Sequence, residues 1–414
     1  MKNSFRILAF VFLFMAFLSI PIRSAAAEKL SIPDDCPCKG SITDLIDAYN
    51  NDKVFKVHID EAFKNMQPVP EGFMKGGNPW IGKSFADLIP FFVEWSSFLP
   101  EVKGSSDNAL KYIGQMDLFS YENPFGRVAF QTSPGVEIFD RFARERGEFL
   151  SSRASTKYVA KWLADTRIEK EEYVLPDPAA ADGGFKSYNE FFSRKFKDIN
   201  KVRPQTMPDR DYIISSPTDA TVNPIPAKIV DGTTKLRTKG TQELNIKELL
   251  YGSRYWNKFV GGTALSCVLM PNTYHYYHAP VGGKVIETRL VDGALVGMED
   301  FVKFASTDGN VGGHGASFGA FESYARGYFI IDTGKYGLVG VVPVGLSTVG
   351  SVVFEDKFLK AEGPVAIKRG DELGHFLYGG SLVILVFEPG KYSSDAIKVR
   401  LGNQIGIFDT SSSN

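Results

Sequence analysis

The sequence has 414 residues, 43% hydrophobic and 23% charged, an ordinary globular composition long enough for two domains. Its formal net charge is −1. Setting aside residues 1–27 removes Lys2, Arg6 and Arg23 and no acid, leaving 44 basic and 48 acidic residues, a net of −4. With no basic tail or stripe, nucleic acid is excluded as a partner, and so is polybasic attraction to anionic lipid.

The sequence opens with Lys2 and Arg6 ahead of an apolar run, Ile7 to Ile22, and then Ala25-Ala26-Ala27. A basic start, an apolar middle and an A-x-A site predict a signal peptide cut after Ala27, hence an exported, secreted or periplasmic protein. An uncleaved anchor is the alternative, although the run is short for a membrane span. Cys36-Pro37-Cys38 reads as two free surface thiols, with a strained disulfide or a weak metal clip as alternatives. Cys267, in the apolar run Ala264 to Met270, reads as a core residue.

Residues 28–173 read mainly as helix and loop. Phe85 to Ile89 and Phe91 to Trp95 are apolar at mixed spacing around Pro90. Val136 to Leu150 places Ile138, Phe139, Phe142, Phe149 and Leu150 near one face at helical period. Tyr158 to Arg167 looks helical as well. The crowded apolar segment Phe85 to Pro100 is expected to pack within the helical region. Its alternative is peripheral membrane contact, which would expose Phe92 or Trp95. Leu175 to Gly184 is a linker by composition.

From about residue 211 the period changes. Ile213-Ile214, Thr221-Val222, Ala264 to Leu269, Lys284 to Ile286, Tyr328 to Ile331, Leu338 to Val344, Val352 to Phe354 and Leu382 to Phe387 are short β-type runs separated by glycine-rich turns. Leu382 to Phe387 is apolar on both alternating faces and is expected to be a central strand. The expected class is α+β: a helical N-terminal region (28–184) packed on a β-rich, mainly antiparallel domain (185–414). No internal repeat or low-complexity tract occurs, and the tail from Thr410 is expected to fray.

Three segments could carry chemistry. Tyr274-His275-Tyr276-Tyr277-His278-Ala279-Pro280 holds two of the five histidines. By itself it reads as hydrogen-bonded packing, with a metal pair lacking a further ligand as the alternative. Gly379-Gly380-Ser381 precedes the apolar strand, and by itself is a turn. Ser216-Pro217-Thr218-Asp219 is a turn with an acid. The glycine-rich stretch 309–315, which contains His314, lacks the Lys-Ser/Thr ending of a phosphate loop and reads as a flexible loop, either near the site or merely structural. His375 reads as packing.

In sequence order, Phe191-Phe192-Ser193-Arg194 with Arg203-Pro204, Ser216-Pro217-Thr218-Asp219, Tyr274 to Pro280, Val344-Gly345-Leu346-Ser347-Thr348-Val349-Gly350-Ser351 and the Gly380-Ser381 step resemble the motifs of the phosphatidylserine decarboxylases. The resemblance spans residues 185–390. Ala220, Tyr276, Gly379 and Leu382 depart from the usual residues, which together with the long N-terminal extension is closer to the soluble members.

The resemblance implies a zymogen that cuts itself between Gly380 and Ser381 and turns Ser381 into a pyruvoyl group, its only cofactor. A metal is not required. A serine hydroxyl is a weak nucleophile and needs a base with an orienting carboxylate. The implied roles are His278 as base, Asp219 as its partner, and His275 as proton donor after CO2 loss. The products would be a long chain ending at Gly380 and a fragment, 381–414, held non-covalently. The implied reaction converts phosphatidylserine to phosphatidylethanolamine and CO2, a step of phospholipid biosynthesis. Alternatives are a decarboxylase of a free aromatic amino acid such as tryptophan, an extracytoplasmic metal hydrolase using His275, His278 and Asp219, and a non-catalytic β-domain.

Overall fold

The computed structural model describes residues 31–69, 77–103, 106–225, 228–231, 243–293, 321, 324–346, 351–392 and 397–408. The signal-peptide reading of 1–27, the loop 309–315 with His314, and the tail from Thr410 lie outside these residues.

The N-terminal half of the described structure is helical. Its main elements are α1 (Lys39–Asn51), α2 (Lys53–Lys64), α3 (Phe85–Ser96), α4 (Lys111–Ser120), α5 (Pro124–Gln131), α6 (Gly135–Leu150), α7 (Val159–Leu163) and α8 (Tyr188–Phe192). Local chemistry sets the starts. The Asp52 carboxylate accepts the Val54 and Phe55 N–H groups ahead of α2, and Ser84 with Asp87 forms a capping box ahead of α3.

The packing of α3 overturns the docking reading of Phe85 to Pro100. Phe91, Phe92 and Trp95 are 9%, 2% and 1% exposed. The Phe92 and Trp95 rings lie 5.0 and 5.1 Å from Phe142 of α6. Each such ring gains about 1.5–3 kcal/mol from burial, so the segment is core. Among the described residues no helix is long and apolar enough to cross a membrane.

Two further expectations are corrected. Helix α7 is half as long as Tyr158 to Arg167 suggested, because the Asp165 carboxylate binds the Arg167 backbone N–H at 2.9 Å and closes a turn. Cys36 and Cys38 are free but buried: the Cys36 thiol lies 3.4 Å from the Ser96 hydroxyl, and the Cys38 thiol meets the Phe142 carbonyl at 3.6 Å. Leu175 to Gly184 is a tight turn closed by the Asp177 N–H on the Gly183 carbonyl at 2.8 Å.

The C-terminal half is built of strands β1 (Ile213–Ser215), β2 (Ala220–Pro224), β3 (Thr263–Leu269), β4 (Tyr276–His278), β5 (Gly283–Val291), β6 (Arg326–Asp332), β7 (Leu338–Leu346), β8 (Val352–Phe354), β9 (Val365–Ile367), β10 (Glu372–Phe376), β11 (Gly380–Phe387), β12 (Ile397–Val399) and β13 (Gln404–Ile407). Every β-run expected from sequence is a strand. Eight form one antiparallel sheet in the order β9-β5-β6-β7-β11-β3-β2-β12. A three-stranded sheet, β8-β10-β4, the pair β13-β1 and a parallel pair formed by Lys228–Val230 and Glu243–Asn245 accompany it. The fold is therefore α+β, as expected.

Strand β11 is interior, and Leu382 to Phe387 are fully buried between β7 and β3. Cys267 lies in β3 within the same core. A second apolar cluster joins the halves: Leu150 and Trp162 from the helical part meet Phe191, Phe192, Tyr274 and Tyr378.

Candidate active site

Two connections cross together from the large sheet to the small one. The backbone leaves β3 at Leu269, opposite Ser381, and reaches β4 with the His275 carbonyl accepting the Phe376 N–H at 2.9 Å. In the other direction, β10 ends at Phe376, bends through Leu377 to Gly379 and enters β11. Gly379 takes φ 157° in that bend, open to glycine because it has no Cβ. Ser381 thus stands at the first step of a central strand, paired with Gly345 of β7 and Leu269 of β3, and is 3% exposed. Its hydroxyl lies 3.5 Å from the Gly379 carbonyl, a long contact.

Both described ends of the segment Val344 to Ser351 meet this crossing. Val344, Gly345 and Leu346 pair with Leu382, Ser381 and Gly380, and the Ser351 carbonyl accepts the Leu377 N–H at 3.3 Å.

His278 is buried at the far end of β4, opposite Glu372. Its Nδ1 lies 2.9 Å from the Gly370 carbonyl, which can only accept, so the proton is on Nδ1. Nε2 is then the acceptor of the Tyr274 hydroxyl at 3.1 Å. Burial pulls the ring's pKa down to about 4, against the Gly370 bond and the charges of Asp219 and Asp371. The ring is a neutral imidazole with its basic nitrogen defined.

Asp219 is not hydrogen-bonded to His278, contrary to the expected pairing. Its carboxylate takes Nε and Nη2 of Arg203 at 3.0 and 2.8 Å, and the Leu401 N–H at 2.7 Å. A guanidinium fork matches a carboxylate better than one imidazole N–H, and it brings the charge that a buried acid requires. Arg203 also holds Glu172 at 2.8 Å. Asp219 remains close through the backbone, since the His278 N–H donates to the Pro217 carbonyl at 2.8 Å.

His275 sits at the end of β4 adjoining the crossing. Its ring lies 3.6 Å, centroid to centroid, from Phe192, and its buried Nδ1 has no hydrogen-bond partner among the described residues. Burial and the Arg194 guanidinium hold its pKa well below the usual range, so it too is neutral. Arg194 fixes the approach, donating to the Asn272 and Thr273 carbonyls at 2.9 and 3.3 Å. His375 packs against Tyr276 with ring centroids 4.9 Å apart.

The structure thus places His275, Ser381 and the Gly379-Gly380 step at the crossing and His278 at the other end of β4 within reach of the Asp219 charge, and among the described residues no direct bond joins His278 to Ser381. Neither Tyr274 nor the Gly370 carbonyl was expected as a partner of His278. Arg194 and Arg203 were visible as motif residues without a task. Among the described residues no group of three or more metal-ligating side chains converges. Asp219 and both ring nitrogens of His278 already have protein partners, so the metal-hydrolase alternative has no support in the donor set.

A family model described as phosphatidylserine decarboxylase matches residues 188–407. The protein is 33% identical over 259 residues to phosphatidylserine decarboxylase proenzyme 3 of Schizosaccharomyces pombe, covering 63% of its own length and 24% of that protein. It is 28% identical over 388 residues to phosphatidylserine decarboxylase proenzyme 2 of Oryza sativa subsp. japonica, covering 89% and 58%. With the phosphatidylserine decarboxylase proenzyme of Clostridium novyi it shares 28% over 320 residues, 73% and 94%. The match spans a quarter of the first relative's length and somewhat over half of the second's. With the matched segment covering more than half of its length and containing every motif around the crossing, this protein belongs to the phosphatidylserine decarboxylase family.

Proposed function

We propose that this protein is the precursor of a self-processing, pyruvoyl-dependent carboxy-lyase that converts phosphatidylserine to phosphatidylethanolamine and CO2. The observation that carries it is the Gly379-Gly380-Ser381 step, buried at the mouth of a central strand, in a member of this family. The Ser381 hydroxyl attacks the Gly380 carbonyl and replaces the amide by an ester. Loss of the proton on the Ser381 α-carbon then breaks the bond between its β-carbon and the ester oxygen, and Gly380 leaves as a carboxylate. Water releases the nitrogen as ammonia, and a pyruvoyl group remains at residue 381.

His278 takes the Ser381 proton through Nε2 after the Tyr274 hydroxyl gives way, a rearrangement of the kind resting active sites often need. Asp219, clamped by Arg203, supplies negative charge near the imidazolium rather than a direct bond. When formed, the pyruvoyl carbonyl supplies an acceptor for the electrons left by CO2. The environment fits it: the crossing is buried, and the unpartnered Nδ1 of His275 is available to move a proton there. His275 returns the proton to the product carbon. The three relatives named above are phosphatidylserine decarboxylase proenzymes, which favours the lipid over the free-amino-acid alternative. Export belongs to the same proposal and rests on residues 1–27 alone, as does the division into a helical accessory region (28–184) and a catalytic domain (185–414) on sequence composition.

The test is direct. Purified protein should run as two bands on SDS electrophoresis, and mass spectrometry should find the short fragment beginning with pyruvoyl in place of Ser381. Ser381→Ala should remain one inactive polypeptide. Phosphatidylserine vesicles should yield phosphatidylethanolamine, while L-tryptophan should yield no amine. A break at Gly350–Ser351 instead would sink the assignment.

A further inference from the structure

Arg146 lies on α6, outside the residues that the family model matches. It is 1% exposed. Its Nη2 donates to the Phe98 carbonyl at 2.9 Å. Its Nε and Nη1 are buried without a hydrogen-bond partner, and no carboxylate pairs with it among the described residues. The ionisable groups that face it are Tyr378, Cys38, Tyr188 and Tyr112, and burial pulls its pKa down. A buried guanidinium with idle donors and no counter-charge is among the least favourable arrangements a fold can keep.

What it faces is the strand crossing. Its Cζ lies 5.8 Å from the Tyr378 ring. Tyr378 is two residues before the Gly380–Ser381 bond and is anchored independently of that bond. Its N–H donates to the Asn189 side-chain oxygen at 3.0 Å and its hydroxyl to the Ala109 carbonyl at 3.1 Å. The rings of Tyr188 and Phe192 flank it at 5.2 and 5.3 Å. Self-cleavage, on the proposed reading, creates one new anion in this region, the α-carboxylate of Gly380. Two glycines beyond a fixed Tyr378 can carry that carboxylate about 7 Å in any direction the turn allows.

We propose that Arg146 is the receptor for the Gly380 carboxylate that self-cleavage creates, a site unfilled in the precursor and occupied in the processed enzyme. The inference rests on the self-cleavage reading. Capture draws Gly380 away from its place opposite Leu346 and opens the space before residue 381, which the substrate has to enter. The helical region thereby supplies the anchor that holds the spent end of the long fragment aside. An ionised hydrogen-bonded pair at low dielectric has the strength to hold a two-residue tail.

The experiment uses the processed wild-type protein and Arg146→Gln, each treated with carboxypeptidase under native conditions while the mass of the long fragment is followed. Wild type should keep Gly380, and Arg146→Gln should self-cleave but lose Gly380 and Gly379 about tenfold faster or more. Arg146→Lys should be intermediate. A second measurement leaves Arg146 intact: hydrogen exchange of the α6 amides around residue 146 should be about tenfold slower in processed wild type than in the Ser381→Ala precursor. Equal trimming of wild type and Arg146→Gln, or equal exchange in precursor and processed protein, overturns the proposal while two bands on SDS gels keep the self-cleavage reading. A single wild-type band would overturn both, and is told apart by that gel. If Arg146→Gln does not fold, the exchange comparison decides.

Discussion

Cleavage at Ser381 would leave fragment 381–414 holding three strand positions, all by non-covalent contact: most of β11 at the centre, β12 at one edge and β13 beside β1. The six side chains of Leu382 to Phe387 are fully buried. At about 1.5–3 kcal/mol each they contribute roughly 9–18 kcal/mol that dissociation would forfeit, before the ladders on either side are counted. The fragment should therefore co-elute with the long one in native gel filtration. Leu385→Ala removes one of those side chains and should cost about 2–5 kcal/mol. The complex should still survive native buffer, but the urea concentration at which the fragment is released should fall by about 1 M or more. Elution of the wild-type fragment as a separate species in native buffer would refute the reasoning, because a strand buried between two partners cannot leave without unfolding the sheet.

Replacing His278 by Ala should block self-cleavage, whereas His275→Ala should still cleave and decarboxylate poorly; identical behaviour of the two in a gel and a product assay would undo the division of labour. Arg203→Ala strands Asp219 in the interior and should destabilise by about 3–5 kcal/mol in a denaturation experiment, with slowed cleavage. Stability should depend on pH in two opposed windows. Because His278 is depressed to about 4, its unfolded form binds a proton first, so its contribution is present above about pH 6.5 and is lost as pH falls toward 4. Glu372 is raised to about 7 by burial and by its contact with Glu355, so its contribution is present below the ordinary carboxylate range and is lost as pH rises through 7. Thermal melts of the Glu372→Gln variant should lose the second window only.

The strands were legible because each is a short run buried on a predictable side, and Leu382 to Phe387 announced its central place by being apolar on both. The site was legible only through the order of its motifs. Its actual bonds were not, because partner choice is a three-dimensional matter. Nothing in the spacing of Arg203 and Asp219 says that a guanidinium fork takes the carboxylate first, or that Tyr274 and Gly370 divide the two nitrogens of His278 between them. The thiols of Cys36 and Cys38 misled for the same reason, since what covers them, Ser96 and Phe142, lies 60 and 104 residues further on. Phe85 to Leu99 is apolar enough for either a core or a docking face, and only the rings of α6 decide between them.

The position of β11 also orders events during synthesis. It is inserted between β3 and β7, both of which leave the ribosome before it, and Phe387 finds Thr263 far back in the sequence. Until residue 387 has been made, the growing sheet carries two unpaired, strongly apolar edges facing an empty slot, the kind of surface that invites pairing with other polypeptides. Closure depends on a long-range contact and should be a slow step of folding. The same dependence is protective. On the self-cleavage reading, the bend that presents the Gly380–Ser381 bond would form only once both neighbours grip β11, and a truncated or half-made polypeptide would not break its own backbone. Maturation would then report that translation has passed the central strand of the sheet.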